Sequence, residues 1–293
     1  MKAEFASCEL CPRRCRIDRN AGFRGFCGAG DGLRLFRWGP HFGEEPPVTG
    51  KNGSGCIFFS RCTLKCVYCQ NSPWSWKGGG EDVTVARLAE IMRDLALKDK
   101  VSNWNLVSPT PYLPLIREAK EILAAEGVSL PFVWNSSGYE RTEILEEYRD
   151  LCDIALFDLR YSRNETAMRY SSAKDYVETA RRAVEWAWKN TKPIVRVLVL
   201  PGHADEAIES LAFIANRVSR EVPVSVMCQY VPSFMAKTIP PLSRGVTEAE
   251  YHQVVESLEL LGLENGWTQG FGAADASNVM LGENMEPGSG TIR

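Results

Sequence analysis

Three cysteines lie close together in one short segment of the chain. Three residues separate Cys62 from Cys66, and two separate Cys66 from Cys69. Thiolates at this spacing can surround one small inorganic centre, and iron–sulfur cubanes are held by cysteine thiolates. With three protein ligands one iron keeps an open coordination position, which is the mark of a catalytic metal site. The segment therefore predicts metal-dependent chemistry.

The same cysteines could instead bind a structural zinc ion. Cys56, six residues before Cys62, would then supply the fourth thiolate of a tetrahedral site, a common arrangement for zinc. The trio, however, directly follows an apolar run over 56–60 that predicts a strand. Catalytic groups concentrate on loops at the ends of strands, so an iron–sulfur centre is favoured over zinc.

A second group of cysteines lies near the amino terminus. It consists of Cys8, Cys11, Cys15 and Cys27. Ten cysteines, mostly clustered, in a chain of 293 residues favour metal binding over the disulfide framework of a short secreted protein. Four thiolates can hold a tetrahedral zinc ion or a second iron–sulfur cluster, and both alternatives stay open. In either form the metal would also staple a segment with little core of its own.

The overall composition is that of an ordinary globular protein. There are 34 lysines and arginines against 37 aspartates and glutamates, for a net charge of −3. This balance gives no electrostatic reason to expect nucleic acid as a partner. No apolar run approaches the roughly 20 residues that a membrane span requires, and the first residues lack the apolar region of a secretory signal. We therefore expect a cytoplasmic protein with no membrane partner.

Six short runs rich in Val, Ile, Leu and Phe predict strands that are mostly apolar on both faces. They are 56–60, 105–108, 132–135, 154–158, 194–200 and 224–230. Stretches with apolar residues at helical spacing lie between and after them: 85–95, 113–123, 174–190, 205–220 and 247–262. This alternation predicts an α/β fold of βαβ units, arranged as an open doubly wound sheet or as a partial parallel barrel.

In either arrangement the functional residues lie at the carboxyl ends of the strands. The polar residues found there include Ser108, Thr110, Asn135, Ser137, Asp158 and Arg160. Asn135 and Ser137 could bind ribose hydroxyls, although residues of these types also favour caps and turns. Arg196 lies inside an apolar strand, where a charge must be paired. It either binds a substrate carboxylate, which suits its planar fork, or forms an ion pair with Asp158.

The trio and its surroundings resemble a known family. Cys-x3-Cys-x-aromatic-Cys, with Tyr68 as the aromatic residue, is similar to the signature of the radical S-adenosylmethionine (radical SAM) superfamily. The resemblance is to one branch of iron–sulfur proteins related to pyruvate formate-lyase activating enzyme. The segments that carry it lie at 53–59, 66–71, 105–110, 135–139, 158–162 and 227–230.

This resemblance implies a partial (β/α)6 barrel. We expect it over 51–262, because the composition sets apart a Cys-rich segment over 1–50 and a Gly-rich tail over 263–293. It implies a [4Fe–4S] cluster on Cys62, Cys66 and Cys69 whose open iron is chelated by S-adenosylmethionine. Reductive cleavage of that cosubstrate would give methionine and a 5′-deoxyadenosyl radical, which abstracts hydrogen from the substrate. The residues expected to bind the cosubstrate or the substrate are Tyr68, Ser108, Thr110, Asn135, Ser137, Asp158, Arg160 and Arg196.

One familiar element of the superfamily is missing from its expected place. A Gly-Gly-Glu motif often holds the methionine amino group after the second strand, but that position in this chain is occupied by Ser108–Pro111. Gly79-Gly80-Glu81 lies earlier, before the first long helix, where a glycine run is typical of a turn. We therefore expect Ser108 or Thr110 to contact the amino group.

Two classes of function follow. In the first, the chain is a radical enzyme that acts on a protein or peptide, as activating enzymes do, or on a small molecule. It would then receive electrons from a donor such as flavodoxin or ferredoxin. In the second, the chain is a non-catalytic iron–sulfur protein for electron transfer or redox sensing. An open iron argues against the second class, because electron carriers usually have every iron bound by the protein.

Overall fold

The computed structural model of the protein describes residues 1–272 and 285–291. Its strands are β1 (Leu33–His41), β2 (Ser54–Phe59), β3 (Glu81–Val83), β4 (Trp104–Val107), β5 (Phe132–Ser136), β6 (Ile154–Asp158), β7 (Lys192–Leu198), β8 (Val224–Met227), β9 (Gly266–Thr268) and β10 (Gly288–Ser289). They form one sheet in the order β10-β1-β2-β4-β5-β6-β7-β8-β9, and β3 also pairs with β1.

Helices connect most of these strands. They are α1 (Ala3–Ala6), α2 (Pro46–Thr49), α3 (Ser72–Ser75), α4 (Val85–Leu97), α5 (Leu113–Ala125), α6 (Thr142–Glu147), α7 (Asn164–Ser171), α8 (Tyr176–Asn190), α9 (Ala204–Phe213) and α10 (Glu248–Leu261). Short helical turns of other types lie at Thr110–Tyr112, Arg149–Leu151, Ile214–Val218 and Phe234–Thr238. Among the helices of the described ranges, none has the length and apolar character needed to cross a bilayer.

The six predicted strands are present as β2 and β4–β8, and each pairs in parallel with the next. Helices α4, α5, α6, α8 and α9 lie in the successive connections, and α10 follows β8. This is the arrangement expected of a partial (β/α)6 barrel. The sheet is open, because within the described residues the end strands β9 and β10 do not pair with each other.

The strand β1 is not predicted from the sequence. It runs antiparallel to β2, with Trp38 opposite Ile57, and its register shifts between Leu35 and Arg37. That irregularity breaks the two-residue alternation by which a half-buried strand is recognised. β1 belongs to the predicted segment 1–50 and β9 to the predicted tail, and both pair with barrel strands. The domain boundaries stay predictions, and residues 273–284 and 292–293 of the tail lie outside the described residues.

Alternate residues of the barrel strands point to opposite sides of the sheet. Ile57, Leu106 and Phe157 belong to the main core, together with residues of α4 and α5. The other side of the sheet is here called the lumen. There Val48 of α2 packs against one residue from each of β5, β6 and β7, namely Val133, Leu156 and Ile194. Because β1 ends at His41 opposite the first residue of β2, α2 lies at the amino-terminal end of the strands and closes the lumen there.

The last long helix, α10, begins with a capping box formed by Thr247 and Glu250. The Thr247 hydroxyl accepts a hydrogen bond from the Glu250 amide, at 3.2 Å, and the Glu250 carboxylate accepts one from the Thr247 amide, at 2.8 Å. The same carboxylate forms an ion pair with Arg244, at 2.7 Å, and accepts a hydrogen bond from the Gly202 amide. The hydrogen bond from Arg244 is the main cause that holds the pKa of the Glu250 carboxyl well below its usual range.

We expect Glu250→Gln to lower the free energy of unfolding by about 1–2 kcal/mol near neutral pH. Because the pKa of this carboxyl is depressed in the folded protein, its contribution is present above the pKa of an unfolded glutamate, about 4.3, and is lost as the pH falls. Urea unfolding between pH 7 and pH 3 should therefore show that the free energies of unfolding of the wild type and of Glu250→Gln become equal in acid. Glu256→Gln, exposed on the same helix, is the control, and a gap that persists at pH 3 would contradict the assignment.

Candidate active site

The cysteine trio lies on the segment 60–71, here called the cluster loop, which directly follows β2. Backbone hydrogen bonds fix this loop against the end of α7. The Lys65 amide donates to the Ser171 carbonyl at 3.0 Å, and the Val67 amide donates to the Tyr170 carbonyl at 2.8 Å. The loop is therefore positioned by a helix that lies about a hundred residues further along the chain.

Hydrogen-bonding groups surround the sulfurs of the trio. The Cys66 sulfur accepts hydrogen bonds from the Ser171 hydroxyl, at 3.0 Å, and from Nη1 of Arg160, at 3.2 Å. The Cys69 sulfur lies 3.1 Å from the Ser75 hydroxyl. The Leu64 amide donates to the Cys62 sulfur at 3.5 Å. Donors to sulfur stabilise a thiolate, so these surroundings suit cysteines that act as metal ligands.

Burial acts against the thiolate form of these side chains. It raises the pKa of the Cys66 thiol, with Arg160 acting in the opposite direction, and it raises the pKa of the Cys69 thiol to about 12. Thiols withdrawn from water in this way ionise when a cation or a metal compensates the charge. The donor set therefore fits a centre that is bound through thiolates.

The arrangement of the trio bears on the choice between a single ion and a cluster. Among the described residues, no three Cys, His, Asp or Glu side chains are placed to hold one metal ion. In a cubane each thiolate binds a different iron, so the sulfurs need not converge on one point. Cys56, the fourth ligand of the alternative zinc site, instead has its sulfur 3.7 Å from the Glu44 carboxylate in the lumen. The zinc alternative for the trio thus has no support in the structure.

The aromatic residue of the motif, Tyr68, is part of a buried chain of hydroxyl groups. Its hydroxyl lies 2.6 Å from that of Tyr161, which lies 2.6 Å from the hydroxyl of Ser171. Ser171 in turn donates to the Cys66 sulfur. The Tyr68 ring packs edge-on against Tyr230. Tyr68 does not line the cavity described next, and its role in cosubstrate binding stays a prediction.

A cavity opens beside Cys62, between the cluster loop and the carboxyl ends of β4 and β5. The space free of protein atoms there is about 190 Å³, part of which is open solvent. The residues that line it are Cys62, Thr63, Ser108, Thr110, Pro111, Ser136, Ser137 and Glu140. The structure therefore brings together four residues predicted from strand ends and the cysteine motif: Cys62, Ser108, Thr110 and Ser137. Ser108 has a φ of 60°, a left-handed conformation that costs free energy for a residue other than glycine.

Glu140 is a cavity residue that the sequence did not single out. It is 2% exposed, and its Oε1 accepts a hydrogen bond from the Thr110 hydroxyl at 2.7 Å. Its Oε2 is also buried, and hydrogen bonds from Ser136 and Trp134 act, like that from Thr110, against the effect of burial on the pKa of this carboxyl. Burial raises the pKa of this carboxyl to about 7. Its position three residues after Ser137 is the one signal in the sequence, since polar residues that follow strands were the candidates.

Four of the other predicted site residues form one polar network in the lumen. Nε of Arg196 donates to Asp158 at 2.8 Å, and its Nη2 donates to the Asn135 side-chain oxygen at 2.6 Å. Nε of Arg160 donates to the second oxygen of Asp158 at 3.0 Å. The ion pair between Arg196 and Asp158 that the sequence left as an alternative is therefore observed. Because Arg196 is engaged by protein partners, its role toward a substrate carboxylate stays a prediction.

A second residue that the sequence did not single out, Glu44, completes this network. It lies between β1 and α2, and its Oε2 is 3.5 Å from Nη1 of Arg196. Its Oε1 accepts hydrogen bonds from Asn105, at 3.0 Å, and Asn135, at 3.4 Å. Burial raises the pKa of the Glu44 carboxyl, and Arg196 acts against that rise. Glu44 was missed because its segment was expected to be separate from the barrel.

The segment that carries the amino-terminal cysteines contacts the cluster loop through Arg13, and Cys8 and Cys27 pack against the main core. Cys11 is buried, and Cys8, Cys15 and Cys27 are half-buried. Nε of Arg13, from the same segment, donates to the Thr63 carbonyl at 3.1 Å. In the ranges that the structure describes, these cysteines do not form a group that could hold a metal ion. Neither zinc nor a second cluster at this position is supported by the geometry.

The Gly-Gly-Glu sequence at 79–81 lies at an edge of the sheet. Glu81 is exposed and begins β3, opposite Leu35. The carbonyls of Gly78 and Gly80 accept hydrogen bonds from Arg34, at 2.6 and 2.7 Å. The motif does not line the cavity beside Cys62, in keeping with its interpretation as a turn.

Known proteins are similar to this chain over most of its length. Residues 56–214 match the family model of the radical SAM superfamily. The chain is 31% identical over 272 residues to the uncharacterized protein MJ0674 of Methanocaldococcus jannaschii, which covers 89% of this chain and 76% of that protein. It is 22% identical over 156 residues to the pyruvate formate-lyase 1-activating enzyme of Escherichia coli, which covers 51% of this chain and 62% of that enzyme.

A solved structure gives a weaker match. A domain of the pyruvate-formate lyase-activating enzyme from Bacteroides vulgatus superposes with a TM-score of 0.41 at 14% identity. The superposition covers 54% of this chain and 93% of that domain. The family model and the first two relatives are therefore the matches that bear on the family of this chain.

We expect Arg196→Leu to lower the free energy of unfolding by roughly 3 kcal/mol, because it leaves the buried Glu44 carboxylate without its cation and removes one of the two arginines that pair with Asp158. Adding Glu44→Gln to that variant should recover part of the loss, since the unpaired charge is removed. Urea unfolding provides the measurement, and Arg217→Leu, at an exposed position, is the matched control. If Arg196→Leu were as stable as the wild type, the network would not have the structural role described.

Proposed function

This chain belongs to the radical SAM superfamily, and from that premise we propose that it is an enzyme that uses a [4Fe–4S] cluster to cleave S-adenosylmethionine reductively. The observation that carries the proposal is the position of Cys62. Its side chain lines the same cavity as Ser108 and Thr110, so a cluster on the trio would face polar groups able to bind a cosubstrate. Polar groups around a cavity beside the cluster are what the binding of a small molecule at that position requires.

The cluster and S-adenosylmethionine, when bound, supply the reductive cleavage of a carbon–sulfur bond to methionine and a 5′-deoxyadenosyl radical that abstracts hydrogen. The chain itself binds and orients these two groups and excludes water from them. Arg160 and Ser171 donate to the Cys66 sulfur and so stabilise the thiolate that binds iron. Leu64 and Tyr68, which belong to the cluster loop, are buried and keep water from its inner side.

The polar strand ends hold the cosubstrate in this proposal. Ser108 and Ser137 line the cavity and offer hydroxyl groups that can bind polar parts of S-adenosylmethionine. The strained backbone of Ser108 supports a functional role, since strain of this kind concentrates at binding sites. Asp158 and Asn135 act from the adjoining network, where Arg196 orients both of them.

We infer that the substrate is a protein or a peptide. The support is the similarity to the pyruvate formate-lyase 1-activating enzyme, whose name states that it acts on another enzyme. A one-electron donor such as flavodoxin or ferredoxin would reduce the cluster in the cell. A small-molecule substrate would require the same cluster and the same cosubstrate site. Only the molecule from which hydrogen is abstracted therefore distinguishes a protein substrate from a small-molecule substrate.

Loss of one cysteine of the trio should abolish the cluster. After anaerobic reconstitution we expect about four irons per chain in the wild type and few in Cys66→Ala. With dithionite and S-adenosylmethionine, the wild type should form 5′-deoxyadenosine, measured by liquid chromatography, and the variant none. Cys152→Ala, which changes a buried cysteine of the main core, should keep both properties. A wild type that binds iron but forms no 5′-deoxyadenosine would favour an electron carrier.

The nature of the substrate can be read from the hydrogen that reaches 5′-deoxyadenosine. Extract of cells grown on deuterated amino acids is divided by ultrafiltration into a protein fraction and a filtrate. We expect deuterium in 5′-deoxyadenosine, detected by mass spectrometry, when the reduced enzyme is mixed with the protein fraction. Cys66→Ala is the control. Deuterium transfer from the filtrate alone would refute a protein substrate and leave the cleavage reaction intact.

A further inference from the structure

Three buried hydroxyl groups form a chain that ends on a sulfur of the cysteine trio. The Tyr68 hydroxyl lies 2.6 Å from that of Tyr161, which lies 2.6 Å from the hydroxyl of Ser171. Ser171 donates to the Cys66 sulfur at 3.0 Å. All three residues are buried. The chain starts and ends on the cluster loop, although its second and third members follow β6 and end α7.

The direction of each hydrogen bond in this chain follows from the protons available. A thiolate sulfur has no proton to donate, and each hydroxyl group has one. Because Ser171 uses its proton on the Cys66 sulfur, its oxygen accepts a hydrogen bond from Tyr161. The proton of Tyr161 is then used, so its own oxygen accepts from Tyr68. All three O–H dipoles therefore point toward the sulfur, and hydrogen bonds aligned in this way polarise one another.

The two tyrosines of the chain stay neutral. Burial is the main cause that raises the pKa of the Tyr161 hydroxyl well above its usual range, and burial also raises the pKa of the Tyr68 hydroxyl. The chain therefore acts on the sulfur through oriented dipoles and not through a charge that changes with pH.

The hydroxyl of Ser171 is distinct from the groups that hold the cluster loop in place. The Lys65 amide of the loop donates to the backbone carbonyl of Ser171, so this support does not depend on the side chain. A serine hydroxyl in a helix can also bond to the carbonyl four residues earlier. The hydrogen bond from Tyr161 fixes the Ser171 side chain in the position where its proton reaches the Cys66 sulfur.

We propose that the hydroxyl chain of Tyr68, Tyr161 and Ser171 raises the reduction potential of the cluster on the trio. This inference rests on the proposed function, since it concerns the cluster that we place there. The one electron that a donor gives up adds negative charge to the cluster and its sulfurs. A hydrogen-bond donor to a sulfur therefore stabilises the reduced form more than the oxidised form.

The chain gives each of its members a positioning role. Ser171 acts on the cluster through the Cys66 sulfur, and the two tyrosines act through Ser171. The identity of the aromatic residue in the cysteine motif then matters. A phenylalanine in place of Tyr68 would keep the ring contact with Tyr230 but would not begin the chain.

The test is an anaerobic redox titration of the reconstituted protein without S-adenosylmethionine, followed by the electron paramagnetic resonance signal of the reduced cluster. For Ser171→Ala we expect the equilibrium constant of one-electron reduction to fall about tenfold, which corresponds to a midpoint potential about 59 mV lower. Tyr161→Phe should lower that constant about threefold, and Tyr68→Phe by less. Ser210→Ala and Tyr148→Phe remove hydroxyl groups buried in α9 and in the main core, and both should titrate like the wild type.

Other results overturn the proposal. An unchanged or higher potential in Ser171→Ala would exclude the effect, and the proposed function would stand if the wild type still forms 5′-deoxyadenosine. A lower potential in Ser171→Ala alone would leave the tyrosines without a role and refute the chain. An equal fall in the two control variants would show a general effect of losing a buried hydroxyl group.

Iron content decides how these results are used. If Ser171→Ala bound few irons, Tyr161→Phe would decide, because it leaves Ser171 in place: a lower potential supports the proposal, and an unchanged one overturns it. Loss of iron from both variants would assign the hydroxyl chain to the folding of the loop instead. A wild type that assembles no four-iron cluster would refute the proposed function and this inference together.

Discussion

The ion pair between Asp158 and Arg196 connects the parts of the barrel interior. Two charges withdrawn from water are costly unless each is paired and hydrogen-bonded, and here both conditions are met. The two residues lie opposite each other in the parallel register of β6 and β7. Strand pairing and charge pairing therefore select the same alignment, because a slip of one residue would turn Arg196 toward the apolar core.

This ion pair also links the cluster loop to the closed end of the lumen. On one side, Asp158 holds Arg160, whose Nη1 donates to the Cys66 sulfur. On the other side, Arg196 reaches Asn135 and Glu44, and the latter comes from the segment that precedes α2. A network of this kind is rigid when each of its polar groups is hydrogen-bonded. The network in the lumen therefore helps to hold the thiol side chains in position.

The barrel could be predicted because its information is local. Each of β2 and β4–β8 is a short apolar run, and each intervening helix carries its own apolar stripe. The strand β1 could not be predicted, because the register shift after Leu35 disrupts its alternation of buried and exposed residues and because its partner β2 follows later in the chain. The contacts of Val48 with Val133 and Leu156 could not be predicted either, because they depend on the position that β1 gives to α2.

By itself, the sequence determined the cysteine trio, its place after the first barrel strand and the polar residues at the strand ends. These features depend on spacing and on neighbours in the chain. Between the two partners considered for Arg196, only the tertiary structure showed the ion pair with Asp158. It also introduced Glu44 and Glu140, whose importance comes from burial. Burial and the partners of a buried carboxyl group are properties of the packed surroundings, which residues far apart in the chain create together.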